Sequence, residues 1–167
     1  MTKLAQLQHP DPMHLEAAAG WIQLGDYNSA NDELEKIRAE WRAHPDVLDL
    51  RWLIYSHHEQ WDACLDIASA IVKIASDRVW GWVHKAYALR RATGGGIEKA
   101  KPVLLEAAKL FPDDDIIQYN LACYCAQLGQ LDAAQEHLDK SYELGDAKQI
   151  KLMALDDDDL KPLWENE

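Results

Sequence analysis

The sequence predicts an all-α fold, a right-handed α-solenoid of four helix-turn-helix repeats that ends in a capping helix. Three observations support this prediction. The stretches that flank each turn have an apolar stripe with the i, i+3, i+4, i+7 spacing of an amphipathic helix. The turn residues recur in steps of 34, 36 and 34 positions, at Gly25, Glu59, Gly95 and Gly129. Small or apolar residues recur in the same phase, first at Ala30, Cys64, Ala100 and Ala134 and then at Leu34, Ala68, Leu104 and Leu138.

The clearest repeat is the fourth, within residues 119–144. Two predicted helices are joined there by a tight turn at Gly129, and each has one apolar face. The residues on these two faces are Leu121, Ala122, Cys125, Ala134, Leu138 and Ser141. One pair of such helices cannot bury its apolar face alone, so the stacking of neighbouring pairs is expected to supply the core.

Residues 23–30, with the sequence QLGDYNSA, resemble the turn of a tetratricopeptide (TPR) repeat, which has a glycine, a polar residue, an aromatic residue and then a small residue. Pro112, and less clearly Pro45, resemble the proline that closes such a repeat. A period of about 34 residues with a helix-turn-helix pattern is typical of this family. Four units in phase cover about four fifths of the chain. The resemblance implies that the first helices of the pairs line a concave groove.

The repeat pattern divides the chain into three parts. Residues 1–10 are expected to form a short leader and residues 147–167 a C-terminal capping segment. Between them lie four repeats, at about 11–44, 45–78, 79–114 and 115–146. The predicted helix pairs are 11–24 with 28–42, 46–58 with 61–74, and 79–92 with 97–110, and the fourth pair closes near Gly145. Asp11 followed by Pro12 predicts an N-cap and a proline at the first helical position.

Three positions depart from the repeat pattern. Trp52 stands where the other repeats have alanine, at a site where two helices approach closely, so it is expected to widen the gap or rotate the helix. Glu59 replaces the turn glycine. The third repeat has two additional residues, which we place within the sequence Thr-Gly-Gly-Gly at 93–96. These departures concern the local geometry and not the architecture.

Residues 147–167 break the period and are expected to cover the apolar face of the fourth repeat. Four apolar side chains are available for this contact: Ile150, Leu152, Met153 and Leu155. Residues 157–164 resemble a closing segment of many bacterial TPR proteins, in which an acidic stretch is followed by leucine and then by proline and leucine. The resemblance implies a bacterial source and a capping element held by Leu160, Leu163 and Trp164.

Composition and charge argue against several function classes. The formal net charge of −12 and the pI near 4.9 disfavour general binding to nucleic acid or anionic membranes, because phosphates would be repelled. No apolar run reaches the roughly 18 residues of a membrane span, and no secretion signal is found, so we expect a cytoplasmic protein. Cys64, Cys123 and Cys125 are expected to be reduced thiols. The sequence contains no recognisable catalytic triad, metal-ligand set or nucleotide loop, so we expect a protein that is not an enzyme and has no metal or cofactor.

The TPR resemblance implies that one stripe of each first helix packs against its neighbours and that a second stripe, offset by one residue, faces the groove. This second stripe is apolar and aromatic, whereas a solvated helix face would have charges. Its candidate peptide-binding residues are Leu15, Ala19, Ile22, Leu53, His57, Trp80, Val83, Tyr87, Arg90, Arg91, Tyr119, Cys123 and Gln127. Aromatic residues and arginine are enriched in binding hot spots. The alternative for Trp80, Val83 and Tyr87 is packing against the facing helices of a tight superhelix.

Arg90 and Arg91 would provide a positive spot suited to a carboxylate. The alternative is a surface pair bonded to nearby acidic residues. Some TPR co-chaperones clamp the terminal carboxylate of a partner with lysine, asparagine and arginine. At the matching positions this chain has other residue types, namely Leu15, Ala19, Leu50, Trp80 and His84. That clamp is therefore absent.

These features predict a protein-protein interaction module, an adaptor or chaperone-like scaffold, that binds a peptide segment of another protein in the concave groove. The alternative is a self-assembling homo-oligomer, in which another copy of the chain fills the groove or covers the outer wall. The expected partner is a protein or peptide, with no nucleic acid and no membrane insertion.

Overall fold

The computed structural model describes residues 5–165, which form helices and loops with no β-strand in that range. Helices α1 to α5 are Asp11–Gln23, Tyr27–Lys36, Pro45–His57, Trp61–Ile74 and Val79–Arg91. Helices α6 to α10 are Ile97–Leu110, Asp115–Gln127, Leu131–Leu144, Ala147–Asp156 and Lys161–Trp164. Short 3-10 turns lie at Ala39–Trp41 and Asp158–Leu160. The all-α class is confirmed, and none of the helices in the described range is both long and apolar enough to cross a membrane.

The chain divides into two compact units, one ending at His84 and the other beginning at Lys85. In the first unit α1 packs against α2 and α3, and α3 packs against α4. The core cluster of this unit consists of Ala18, Ala30, Leu34, Ile37, Val47 and Ile54. In the second unit α7 packs against α6 and α8, and α8 packs against α9. Each unit is therefore built from neighbouring helices that bury one another's apolar faces.

The small and apolar positions that recur in the second helices are fully buried. The small residues that follow each turn have no exposed surface, and neither do the residues four positions later: Ala30, Cys64, Ala100, Ala134, Leu34, Ala68, Leu104 and Leu138. Three small residues of the first helices, Ala18, Ala86 and Ala122, are also fully buried. The apolar period of the sequence thus marks the contacts between helices.

Trp52, the large residue at the close-approach position, is only 6% exposed. Its indole stacks on the imidazole of His84, with the ring centroids 3.8 Å apart and the planes within 3° of parallel. The first unit therefore accommodates the indole by placing a second flat ring against it.

Helix α2 ends earlier than the sequence predicts, at Lys36 instead of residue 42. Ile37 is extended, and the backbone N–H and Nε of Arg38 donate hydrogen bonds to the carboxylate of Asp11 at 2.9 and 2.8 Å. These bonds hold the pKa of the buried Asp11 below its usual range. The N-cap of α1 is Pro10 and not Asp11 as expected. The carboxylate of Asp11 is instead used to turn the chain after α2.

Helix α9 covers less apolar surface than the sequence predicts. Ile150 and Ala154, four positions apart and so on one helix face, are 6% and 1% exposed. Leu152, Met153 and Leu155 were expected to share this role but are 59%, 49% and 65% exposed. Three apolar side chains of α9 are therefore largely exposed to solvent, because only the face with Ile150 and Ala154 packs against the rest of the second unit.

Glu59 occupies a turn position with a φ of +55°, close to the +79° of Gly25 and the +71° of Gly129. This left-handed conformation costs a residue with a Cβ roughly 1–2 kcal/mol. We therefore expect Glu59→Gly to raise the free energy of unfolding by about 0.5–1 kcal/mol, after allowance for the greater freedom of glycine in the unfolded chain. Urea unfolding measures this change. The control Gln60→Gly, at a φ of −84°, should lose stability, and a loss in both variants would contradict the prediction.

Candidate peptide-binding face

Leu15 and Ala19, two of the predicted peptide-binding residues, line an open pocket of about 740 Å³ in the first unit. Leu50 of α3 also lines it. A charged cluster adjoins these apolar side chains, since Arg78 Nη1 lies 2.5 Å from Asp46 Oδ1 and 3.2 Å from Asp49 Oδ2. The pocket thus places apolar side chains beside charged groups.

A second pocket of about 300 Å³, here called the Trp80 pocket, is lined by Asp49, Leu53, Trp80 and His84. Two of these residues, Leu53 and Trp80, are predicted peptide-binding residues. Trp80 is 52% exposed, and its ring centroid lies 5.6 Å from that of His84. Asp49 lines both pockets, so the two are neighbours along α3.

Ile22 and His57 have packing roles within the first unit. Ile22 packs against its core cluster. His57 stacks on Tyr27, with ring centroids 3.7 Å apart and planes 9° from parallel. These two predicted site residues support the helices and do not line the two pockets described above.

In the second unit the predicted stripe is covered by residues 157–160 of the same chain, here called the acidic tail segment. The hydroxyl of Tyr119 donates a hydrogen bond to Asp157 Oδ2 at 2.8 Å, and Cys123 Sγ lies 3.6 Å from the same oxygen. Tyr119 and Cys123 are 7% and 4% exposed. Burial raises the pKa of Tyr119, and its hydrogen bond to Asp157 adds to the shift. Tyr119 is therefore a hydrogen-bond donor at neutral pH.

Asp159, in the same segment, binds Arg90 and Gln127. Both terminal nitrogens of the Arg90 guanidinium bind the carboxylate, Nη2 at 2.7 Å from Oδ1. The hydrogen bonds to Asp159 raise the pKa of Arg90, against the opposing effect of burial. Gln127 Nε2 donates to the backbone oxygen of Asp159 at 3.0 Å. Arg90 was predicted to bind a carboxylate, and the carboxylate that it binds here belongs to its own chain.

Three more predicted site residues lie on α5. Val83 is 7% exposed and so belongs to the packed interior. The guanidinium carbon of Arg91 lies 3.6 Å from the centroid of the Tyr87 ring, and Arg91 Nη1 donates to the backbone oxygen of Tyr87 at 3.2 Å. The two neighbouring arginines therefore differ, because Arg90 binds the acidic tail segment and Arg91 contacts a residue of its own helix.

Cys123, Asp157 and Asp159 place three potential metal-ligating atoms within 4.8 Å of one another. Burial raises the pKa of the Cys123 thiol, and the two carboxylates add to the shift, so the thiol is protonated at neutral pH and is a poor ligand. The carboxylates already accept hydrogen bonds from Tyr119 and Arg90. We therefore interpret the group as a hydrogen-bonded contact between α7 and the tail.

Several solved structures resemble this chain. The thermophilic TPR protein TTC0263 from Thermus thermophilus matches with a TM-score of 0.75 at 20% identity, over 93% of this chain and 82% of that one. The chain has a TPR-type fold. MamA from Desulfovibrio magneticus gives a TM-score of 0.69 at 19% identity, over 80% of this chain and 75% of that one. Yeast Tom70 gives 0.72 at 18% identity, over 88% of this chain and 32% of that one. No family model and no curated protein matches the sequence.

The repeat pattern predicts which residues share the groove-facing stripe of the first helices. It does not predict every residue that contacts this stripe. His84 was missed as a lining residue because its role depends on the indole of Trp52, which replaces a small residue of the repeat. The carboxylates of Asp157 and Asp159 were assigned to a cap. Their signal was present in the sequence, since Arg90 was expected to meet a carboxylate and an acidic run follows at 156–159.

Proposed function

We propose that the protein is an interaction module that binds a peptide segment of a partner protein on the first-helix face of residues up to His84. The observation that supports this proposal is the open pocket of about 740 Å³ lined by Leu15, Ala19 and Leu50. Apolar side chains beside charged groups suit a peptide that has both kinds of residue. The role is that of an adaptor or chaperone-like scaffold, with binding and not catalysis as its activity.

The second unit offers support for the kind of ligand. There, Tyr119, Arg90 and Gln127 of the same predicted stripe bind a stretch of polypeptide, the acidic tail segment. The bonds reach both side-chain carboxylates and a backbone oxygen. A helix face of this composition is therefore suited to hold a peptide.

The experiment compares the proteins captured from lysate of the source cells by three forms of the chain. Ala19→Glu places a charge and a longer side chain in the pocket, and Asn28→Glu makes the same charge change at a position of α2 away from the pocket. We expect a partner that binds wild type and Asn28→Glu but binds Ala19→Glu about tenfold more weakly, a change of about 1.4 kcal/mol. Affinity measured with the purified pair gives the number. Equal binding by all three forms would contradict the proposed face.

The second candidate function is self-assembly, and one observation favours it. Leu152, Met153 and Leu155 are exposed together on α9, where another copy of the chain could cover them. Under this alternative the mass measured by sedimentation rises with protein concentration, and Leu152→Glu with Leu155→Glu returns it to the monomer mass. A mass that stays at 19.0 kDa across the concentration range would exclude the alternative.

A further inference from the structure

The Trp80 pocket lies beside the pocket of about 740 Å³ and shares Asp49 with it. Its lining residues are an exposed tryptophan, an imidazole, a carboxylate and one leucine. Trp80 keeps 52% of its surface exposed, although burial of a tryptophan side chain would be strongly favourable. About half of the surface of this residue is therefore available to a ligand within the first unit.

Two polar atoms of the residues that line this pocket are buried and, within the part of the chain that the structure describes, have no hydrogen-bond partner. They are Asp49 Oδ1 and His84 Nδ1. The other carboxylate oxygen of Asp49 accepts a hydrogen bond from Arg78 at 3.2 Å. Unpaired polar atoms in a buried position cost free energy. Because these atoms have almost no accessible surface, the two side chains must rotate to meet a ligand, and a ligand that donates hydrogen bonds to them would then recover that free energy.

The chemistry of these groups determines which ligands suit the pocket, namely those that donate hydrogen bonds. Burial lowers the pKa of His84 to about 4, so its imidazole is neutral at pH 7 and one ring nitrogen is an acceptor. Asp49 Oδ1 is an acceptor as well. Asp46 and Asp49 both bind Arg78. Two carboxylates beside one guanidinium give the surroundings of Asp49 a net negative charge. A phosphate or a carboxylate would be repelled there, whereas a cation would be attracted.

We propose that the Trp80 pocket binds the side chain of an arginine from the partner segment. This inference rests on the proposed peptide-binding function and names the residue type that the peptide contributes. A guanidinium has five N–H donors and no acceptor, so it suits a pocket lined by a carboxylate and a neutral imidazole. Its planar surface stacks on an indole face, and its charge is attracted by the ring. The net charge of −12 favours a cationic partner in the same way.

The test uses the purified full chain and the probe N-acetyl-arginine amide. Its neutral, nearly isosteric analogue N-acetyl-citrulline amide is the control ligand. The indole N–H signals in a ¹H–¹⁵N NMR spectrum are followed during the titration, and the Trp80 signal is assigned by its loss in Trp80→Leu. We expect saturable shifts of the Trp80 signal with the arginine probe and a dissociation constant at least about tenfold higher for the citrulline probe.

Matched variants separate the pocket from general attraction to an acidic protein. Asp49→Asn removes one charge in the pocket, and Asp66→Asn removes one at an exposed position of α4. We expect Asp49→Asn to weaken binding of the arginine probe about tenfold and Asp66→Asn to leave it unchanged. Trp80→Leu alters an exposed residue, so the loss of probe binding in this variant tests the pocket even if Asp49→Asn disturbs the contact with Arg78. Binding to Trp80→Leu is then followed through the signal of Trp52, which stacks on His84.

Three results would overturn the inference: shifts that grow linearly without saturation, equal binding of the citrulline probe, or equal weakening by Asp49→Asn and Asp66→Asn. None of these results bears on the proposed function itself, because the probe assay needs no partner protein. Conversely, a captured partner whose binding is unchanged by Ala19→Glu would contradict the proposed face. That result would not affect the outcome of the arginine probe assay.

Discussion

Replacing Leu160 with alanine is expected to lower the free energy of unfolding by about 2–5 kcal/mol, the range for a buried leucine. Leu160 has no exposed surface and ends the acidic tail segment. Loss of its side chain removes apolar burial and leaves a cavity that the surroundings fill only in part. The contacts of Asp157 with Tyr119 and of Asp159 with Arg90 depend on the same segment, so they are expected to weaken with it. Urea unfolding followed by circular dichroism measures the loss.

The control for this variant is Leu155→Ala, which makes the same chemical change nearby in the C-terminal segment. Leu155 is 65% exposed, so the control should stay within about 0.5 kcal/mol of wild type. A second readout follows the tail itself. Cys123, now 4% exposed, should react faster with a thiol reagent in Leu160→Ala, and Cys123→Ser should abolish the additional reactivity. Equal stability losses in both leucine variants, or unchanged reactivity of Cys123, would show that Leu160 does not hold the segment in place.

The helices and the core could be predicted because both follow from spacing along the chain. Residues one repeat apart meet equivalent neighbouring helices, whichever side chains those helices contribute. This is why four equivalent residues are all fully buried: Ala30, Cys64, Ala100 and Ala134. The period of a helix depends on local backbone geometry, so a stripe in the sequence becomes a face in the structure. The TPR-type fold was predictable for this reason.

The contacts of the acidic tail segment could not be predicted in the same way. Arg90 and Asp159 are separated by 69 positions, and Tyr119 and Asp157 by 38. An acidic run has the same appearance in the sequence whether it faces water, caps a helix or binds an arginine. Which of these roles the acidic run has depends on the path of the chain after α8, and the repeat pattern ends before that point. The segment that covers the stripe of the second unit therefore does not follow from the repeat pattern.

The Trp80 pocket shows a third case, in which the sequence marks a departure without giving its consequence. Trp52 was recognised as too large for its position, and a wider gap or a rotated helix was expected. In the structure, the imidazole of His84 stacks on the indole. The same imidazole lines the Trp80 pocket, and its Nδ1 is buried without a hydrogen-bond partner in the described part of the chain. The misfit at Trp52 thus affects a neighbouring ring, an effect that the repeat pattern does not show.

Gly95→Ala is expected to lower the free energy of unfolding by about 3 kcal/mol, at the upper end of the usual range for overpacking. A Cβ on Gly95 would lie 1.9 Å from the backbone oxygen of Leu89 and 2.9 Å from that of Ala92. These oxygens belong to the end of α5 and the loop after it, and the N–H of Gly96 also donates to Leu89 at 3.1 Å. Because the obstacles are backbone atoms, no change of side-chain rotamer relieves the contact. The loop must move away from α5.

Gly94→Ala is the matched control, and it separates two reasons why this turn has no side chains. Gly94 has a φ of +68° but nothing within 4 Å of the added Cβ, so its variant should cost only about 1–2 kcal/mol. Gly95 has no positive φ but lacks space. Backbone conformation alone would place the larger loss at Gly94, whereas close approach places it at Gly95. Urea unfolding of the two variants decides between these orders, and a larger loss for Gly94→Ala would show that the loop relaxes easily and that close approach of the chain to α5 does not determine its stability.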